Sequence, residues 1–228
     1  MFRFVTPLYN CQSFVVECLR STKEQSDGDF MHYIVDDCST DGTWDIVRRE
    51  IEGDPRYVAL RNDYKMCTLY NHIKLMKDFE WDPEDVVLHL DGDDRLSDTQ
   101  VLSHLKGVYE ETGCWVTYGN YEVIPPGTGI SSCCAPLQEN PNFRAGIWEW
   151  SHLRTFKRFL FDKIPYDNFL NEEGFMYTSA PDVALFTPIL EMAGKDRIAF
   201  SDRVNYHYRM HPSNEHHVPG GLNDQARC

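Results

Sequence analysis

Residues 85–94 read DVVLHLDGDD, an apolar run that ends in three carboxylates and a glycine. A short apolar run bounded by a turn signal predicts a buried strand over 85–90. Gly92 lets the backbone turn sharply directly after that strand. The charges of Asp91, Asp93 and Asp94 repel one another unless a cation lies among them. The stretch therefore predicts a buried strand whose carboxyl end carries an acidic turn.

Apolar runs and amphipathic segments alternate before this turn. Strands are predicted at 2–8, 32–35 and 57–61, and helices at 13–22, from Asp41-Gly42-Thr43 onward, and at 69–79. Such alternation indicates βαβ units and a parallel sheet. The later part is less regular, with a helix at 102–110, a strand at 115–118, a loop over 124–141, a helix at 182–192 and a strand at 197–200. We expect an α/β fold with a mostly parallel central sheet flanked by helices and a smaller mixed C-terminal part.

The size and composition fit one packed unit. The chain has 228 residues and is 42% hydrophobic, enough for one substantial core. We expect a single domain over residues 1–215, with halves at 1–120 and 121–215. The polar, glycine-containing segment 216–228 is typical of a tail or a linker to further domains.

The charge and the cysteines exclude several classes of protein. A net charge of -14 argues against a binder of nucleic acids or anionic membranes, because both partners require clustered Lys and Arg. The apolar run at 2–8 is too short to span a membrane and lacks a signal-peptide pattern. Eight scattered cysteines indicate free thiols in a reducing compartment. We therefore expect a cytoplasmic protein without a membrane span.

A second acidic pair, Asp36-Asp37, follows the second predicted strand. The carboxyl ends of parallel strands share one edge of a sheet, where ligands bind. Carboxylates there accept hydrogen bonds from a base N–H or from ribose hydroxyls, or they cap the next helix, for which Thr40 and Asp41 are better placed. The acidic turn at 91–94 suits Mg²⁺ or Mn²⁺ with substrate phosphates. Its alternatives are a helix cap and a calcium loop, although the full EF-hand pattern is absent.

Three motifs in this order resemble those of family 2 glycosyltransferases, which are inverting enzymes with the GT-A fold. They are TPLYN at 6–10, VDDCSTDGT at 35–43 and LDGDD at 90–94. The resemblance implies a nucleotide-sugar-binding half at 1–120 and an acceptor-side half at 121–215. It also implies a nucleotide-diphosphate sugar as donor, most often UDP-linked, and a divalent metal, Mn²⁺ or Mg²⁺. Asp63-Tyr64-Lys65 stands where this family often has a glycine after the asparagine.

The resemblance also implies roles for individual residues. Those expected to bind the nucleotide are Thr6, Pro7, Tyr9, Asp36, Asp37, Arg61 and Asp91. Those expected to hold the metal are Asp91, Asp93 and His211. Candidates for contacts with the acceptor or the diphosphate are Trp150, His152, Arg154 and Arg209.

An inverting transfer requires a carboxylate that removes the proton of the acceptor hydroxyl. In this family the base is usually an acid near the start of a helix beyond the middle of the chain, which here is Asp182. Glu172 and Glu173 are rivals for that role, and a helix N-cap is the structural alternative for Asp182. The expected acceptor is a glycan or a glycoprotein, such as a bacterial or large-virus surface glycan.

Two other functions compete with this interpretation. A nucleotidyltransferase or sugar pyrophosphorylase also combines a parallel sheet, a metal and a nucleotide, but such enzymes usually open with a glycine-rich loop that this chain lacks. A binding module that recognises nucleotide-sugars without turnover would keep the same fold. The acids at 91, 93 and 182 argue against such a loss of activity.

Overall fold

The computed structural model describes residues 1–126, 136–139, 141–144, 150–178, 180–212 and 214. Eight strands form one sheet. They are β1 (Phe2–Leu8), β2 (Phe30–Asp36), β3 (Tyr57–Arg61), β4 (Val86–His89), β5 (Arg95–Leu96), β6 (Val116–Ile124), β7 (Thr155–Lys157) and β8 (Ile198–Arg209).

Within the described residues, six helices accompany the sheet. They are α1 (Val15–Lys23), α2 (Thr43–Ile51), α3 (Thr68–Asp78), α4 (Val101–Thr112), α5 (Arg158–Asp162) and α6 (Pro181–Ala193), with short 3-10 turns at Tyr166–Phe169 and Lys195–Arg197. The Cys67 sulfur caps α3 by accepting the N–H of Tyr70. Gly113 ends α4 in the left-handed region, at φ 62°, which favours glycine.

The strand order is β3-β2-β1-β4-β7-β6-β8-β5. Strands β1 to β4 pair in parallel, as do β6 and β8, whereas β7 runs antiparallel to both of its neighbours and β5 runs antiparallel to β8. The carboxyl ends of β1, β2 and β4 therefore lie at one edge of the sheet. Both acidic segments of the sequence lie at that edge.

Apolar side chains pack on both faces of the sheet. One cluster contains residues of α3 and α6, and the other contains residues of α1 and α4. A buried polar group lies in the core, where the ring of His32 contacts the hydroxyls of Thr6 at 2.8 Å and Thr22 at 3.2 Å. Burial lowers the pKa of His32 to about 3, so this histidine is neutral in the fold.

The predicted α/β fold with a mostly parallel, helix-flanked sheet is confirmed. Strands β5 and β7 and helix α5 were not predicted, because two- to five-residue elements carry no measurable periodicity. Strand β8 extends well beyond 197–200. Residues 127–135 and 140 of the predicted loop, and the predicted tail at 216–228, lie outside the described residues. In the described ranges, no helix combines the length and the hydrophobicity needed to cross a membrane.

Candidate functional site

The acidic turn follows β4 and the buried Leu90. A Cβ added to Gly92 would lie 2.0 Å from Cδ2 of Leu8, so the turn packs directly against the end of β1. The N–H of Asp94 donates to the carbonyl of Asp91 at 3.1 Å and closes the turn. Glycine at position 92 is therefore a steric requirement of this contact.

Asp94 is the buried acid of the turn. Its carboxylate accepts the hydroxyl of Tyr206 at 2.7 Å and the N–H of Arg209 at 2.6 Å. Burial, and then the charges of Asp93 and Asp91, raise the pKa of Asp94 well above its usual range. Asp94 thus fastens the turn to β8.

Asp91 is partly exposed and lies beside the same tyrosine. Its N–H donates to the hydroxyl of Tyr206 at 3.2 Å. Burial, and then the charge of Asp93, raise the pKa of Asp91 to about 6, while the positive charge of Arg154 acts in the opposite sense. A cation between Asp91 and Asp93 would relieve this repulsion.

Asp93 carries the contact between the turn and the segment after β8. Its Oδ2 lies 2.8 Å from Nε2 of His211, and its carbonyl accepts Nε of Arg209 at 2.8 Å. Arg209 also donates to the carboxylate of Glu17 at 2.7 Å and lies over the ring of Phe14. Arg209 is therefore held by protein groups at both ends of its guanidinium.

The predicted metal ligands Asp91, Asp93 and His211 lie on two segments that meet at this turn. Across the part of the chain that the structure describes, no three His, Cys, Asp or Glu side chains are arranged to hold a metal ion. Mn²⁺ binds carboxylate oxygens and can also bind an imidazole nitrogen, whereas Mg²⁺ prefers oxygen ligands alone. The donor chemistry and the crowded charges fit a divalent cation that takes its remaining ligands from phosphate and water.

Asp36 is fully buried at the end of β2. One of its oxygens lies 3.1 Å from Nε of Arg61 and accepts the N–H of Ser39 at 3.2 Å. The other oxygen has no hydrogen-bond partner among the described atoms. Arg61 also donates to the carbonyl of Ser39 at 2.8 Å, so the predicted nucleotide-binding pair Asp36 and Arg61 forms an ion pair that shapes the loop after β2.

Asp37 links the second acidic segment to the first. Its Oδ1 accepts the amide of Asn62 and the N–H of Met66, both at 2.8 Å, so it holds the loop that follows β3. Its own N–H donates to the carbonyl of Leu8 at 2.7 Å, and Leu8 also packs on Gly92. The two acidic segments therefore meet on either side of one residue at the end of β1.

The residues of the opening motif take different positions. Thr6 is fully buried, and its hydroxyl is bonded to the ring of His32 in the core. Pro7 is half-buried, and Tyr9 is exposed with Nζ of Lys65 lying 3.6 Å from its ring centroid. Tyr9 and Lys65 thus lie together beside the crevice.

Asp182 lies in the first turn of α6. Ala180 precedes the helix in the left-handed region, at φ 46°, and Pro181 follows as the first helical residue. One oxygen of Asp182 accepts Nη1 of Arg154 at 2.9 Å, and the other accepts the N–H of Val183 at 3.0 Å. Asp182 is therefore not the N-cap of α6, and its carboxylate is bonded to a buried arginine.

The other acceptor-side candidates differ in exposure. Trp150 is buried in the core, and His152 is buried and stacks on Tyr206 at a centroid distance of 4.4 Å. Burial, and then Arg154, lower the pKa of His152 well below its usual range, so its ring is neutral. Glu172 and Glu173 are exposed on a turn, and no hydrogen bond joins their carboxylates to the acidic turn within the described residues.

Tyr206 is the site residue that sequence reasoning missed. It contacts Asp91, Asp94 and His152, whereas the sequence prediction for this segment assigned binding roles to Arg209 and His211 alone. The signal available was the alternation of strand residues, which places Tyr206 and Tyr208 on one face of β8.

The fold is similar to that of solved glycosyltransferases. TarS of S. aureus, in its 1-349 form with UDP-GlcNAc, superposes with a TM-score of 0.72 at 21% identity, over 93% of this chain and 59% of that chain. A mannosyltransferase of Pyrobaculum calidifontis, PcManGT, in complex with GDP-Man and Mn²⁺, gives a TM-score of 0.66 at 16% identity, over all of this chain and 64% of its own. These likenesses define the class of the fold, which is GT-A.

The family of the chain follows from its amino-acid sequence. Residues 4–164 match the sequence model of the family described as Glycosyl transferase family 2, a span that includes all three motifs of the first half. The chain belongs to glycosyl transferase family 2.

One curated relative is TuaG of Bacillus subtilis (strain 168), whose name assigns it to teichuronic acid biosynthesis as a glycosyltransferase. It is 29% identical over 122 residues, which are 53% of this chain and 46% of the relative. The chain thus matches about half the length of that relative, and it covers 59% of the 1-349 form of TarS and 37% of the longer TarS chain.

Proposed function

We propose that this chain transfers a sugar from a nucleotide-diphosphate donor, UDP-linked, to a hydroxyl of a glycan or glycoprotein acceptor, with inversion and with Mn²⁺ or Mg²⁺. The observation that carries the proposal is that Leu8 contacts both acidic segments at the carboxyl edge of the sheet, through the N–H of Asp37 and through Gly92 between Asp91 and Asp93. Family membership and the UDP-GlcNAc bound by TarS support the choice of donor.

In this proposal the first half binds the donor. Asp37, with Asp36 and Arg61 behind it, orients the base and the ribose, and Tyr9 lies at the rim. Asp91, Asp93 and His211 would hold the cation. When bound, a divalent cation neutralises the charge that develops on the departing diphosphate.

Asp182 is the proposed general base. It accepts the proton of the acceptor hydroxyl while that oxygen bonds to the anomeric carbon from the face opposite the diphosphate. The bond from the anomeric carbon to the diphosphate oxygen breaks, and the nucleoside diphosphate leaves with the electron pair.

The test is a calorimetric screen of UDP-, GDP- and dTDP-sugars with and without Mn²⁺, followed by an assay for release of nucleoside diphosphate. We expect saturable, Mn²⁺-dependent binding that Asp93→Ala abolishes. Asp54→Ala is the matched control, because this acid pairs with Arg56 before β3, at the opposite edge of the sheet.

Four results would contradict the proposal. Binding that is unchanged without a divalent cation would exclude a role for the metal. An equal loss of binding in Asp93→Ala and Asp54→Ala would exclude the assigned site. Saturable binding without turnover on any acceptor would favour a binding module, and pyrophosphate-dependent formation of nucleoside triphosphate and sugar 1-phosphate would favour a pyrophosphorylase.

A further inference from the structure

Arg154 lies behind the candidate base, just before β7. Its carbonyl accepts the N–H of His89 at 3.5 Å, which sets its backbone beside the end of β4, where the acidic turn begins. Its side chain is 6% exposed, so its charge is almost completely removed from water. A buried charge without a counter-ion strongly destabilises the fold, and Arg154 therefore requires an anionic partner.

That partner is Asp182. Nη1 of Arg154 donates to Oδ2 of Asp182 at 2.9 Å, whereas the neighbouring rings of His72 and His152 are buried, and burial, and then the charge of Arg154, lower the pKa of both, so these two rings are neutral. The contact of Arg154 with His152 is long, at 3.5 Å, and its Nε has no partner among the described atoms. Asp91 contributes a charge from farther away.

Asp182 is held by this contact while it remains accessible. Its carboxylate is 32% exposed, with Nη1 of Arg154 on one oxygen and the N–H of Val183 on the other. Two donors fix the plane of the carboxylate, and the exposed side is left to receive a proton. This is the arrangement that an oriented base requires.

We infer that Arg154 is a positioning residue that aims Asp182 and acts through that carboxylate, rather than a ligand of the donor diphosphate. This inference rests on the proposed function. A diphosphate contact would require the buried guanidinium to turn away from Asp182 and leave both partners without their counter-charge.

A double-mutant cycle tests the inference, because residues that act through one another are not additive. We expect Arg154→Met to lower kcat by about 100-fold, the scale of a misplaced catalytic group. The donor Kd should stay within about threefold, since the donor does not touch Arg154, and Arg154→Lys should recover about tenfold by restoring the charge without the planar fork. Arg154→Met should lower activity no further when Asp182→Asn is already present.

Arg158→Met is the matched control. Arg158 is a second buried arginine four positions along the chain, paired with Asp162 and donating to the carbonyl of Met76 at 2.8 Å, away from the acidic turn. The Arg158→Met variant should lower thermal stability as Arg154→Met does, but it should leave kcat unchanged.

The outcomes separate this inference from the proposed function. If the unaltered chain turns over no nucleotide-sugar, the function fails and the inference fails with it. If the unaltered chain is active but the two substitutions add fully, or Arg154→Met raises the donor Kd as strongly as it lowers kcat, only the positioning role is overturned.

Discussion

The hydroxyl of Tyr206 donates a hydrogen bond of 2.7 Å to Asp94, across 112 positions of sequence. The same oxygen accepts the backbone N–H of Asp91 at 3.2 Å. One side chain of β8 therefore fixes two acids of the turn that follows β4, and the geometry of the proposed metal site depends on it.

Removal of that hydroxyl in Tyr206→Phe leaves Asp94 with one donor fewer in a buried position. We expect a loss of about 1–3 kcal/mol in the free energy of unfolding, measured by urea titration. Mn²⁺ affinity should also fall. Tyr57→Phe removes a comparable buried hydroxyl, bonded to Thr22 at 2.8 Å, and should destabilise the fold without changing metal affinity. An equal effect of both variants on Mn²⁺ would refute the role of Tyr206.

Substitution of Gly92 by alanine should be costly for steric reasons. The new methyl group would meet Leu8 at 2.0 Å, and such overpacking typically costs about 1–3 kcal/mol. Gly107→Ala is the control, because nothing lies within 4 Å of its added Cβ inside α4. It should gain up to about 1 kcal/mol from helix propensity. Similar thermal stabilities of the two variants would contradict the packing at position 92.

His211→Ala should weaken the binding of Mn²⁺ more than that of Mg²⁺, since imidazole is a ligand for the former and seldom for the latter. We expect a loss of about tenfold or more for Mn²⁺ by calorimetry, the lower end of the loss found for altered metal shells. His207→Ala provides the comparison, because His207 lies two residues before Arg209 and faces Glu122 at 3.5 Å. Unchanged Mn²⁺ affinity in His211→Ala would exclude this histidine from the site.

Acid should destabilise the protein through its buried neutral histidines. The pKa of His32 is about 3 in the fold and about 6.5 in an unfolded chain, so its contribution is complete above pH 6.5 and declines as the pH falls toward 3. At pH 5 the loss from this one residue is about 2 kcal/mol. The raised pKa of Asp91, about 6, acts with the opposite sign as the pH falls through that value.

The measurement is urea unfolding at several pH values between 5 and 7. His32→Gln cannot take up the proton on unfolding, so its stability should depend less steeply on pH. A slope identical to that of the unaltered chain would show that His32 does not contribute.

The first half of the fold was predictable because its strands and helices are long enough to show their period. Helix α2 begins at Thr43, where the sequence predicted it, and β3 spans Tyr57–Arg61 as predicted. Strand β7 has three residues and takes its place only through pairing with β4 and β6, which no local pattern records. Short elements of that kind are defined by tertiary contacts rather than by propensity.

The sequence predicted the positions of the acids at the strand ends, but not the residues that contact them. The end of a strand can be recognised from the local sequence. Asp37, Asp91 and Asp93 were therefore predicted to lie at one edge of the sheet. The contact of Asp182 with Arg154 spans 28 positions, and that of Asp94 with Tyr206 spans 112. Such contacts depend on the strand order of the complete sheet.

The insertion of β8 beside β6 has a consequence for biosynthesis. A nascent chain that has left the ribosome only as far as α4 already contains β1 to β4, and those strands can pair. The acids after β4 then lack the hydroxyl and the backbone N–H that hold Asp94, because both come from β8. Ligand-binding competence should therefore appear late, only after translation has passed His211.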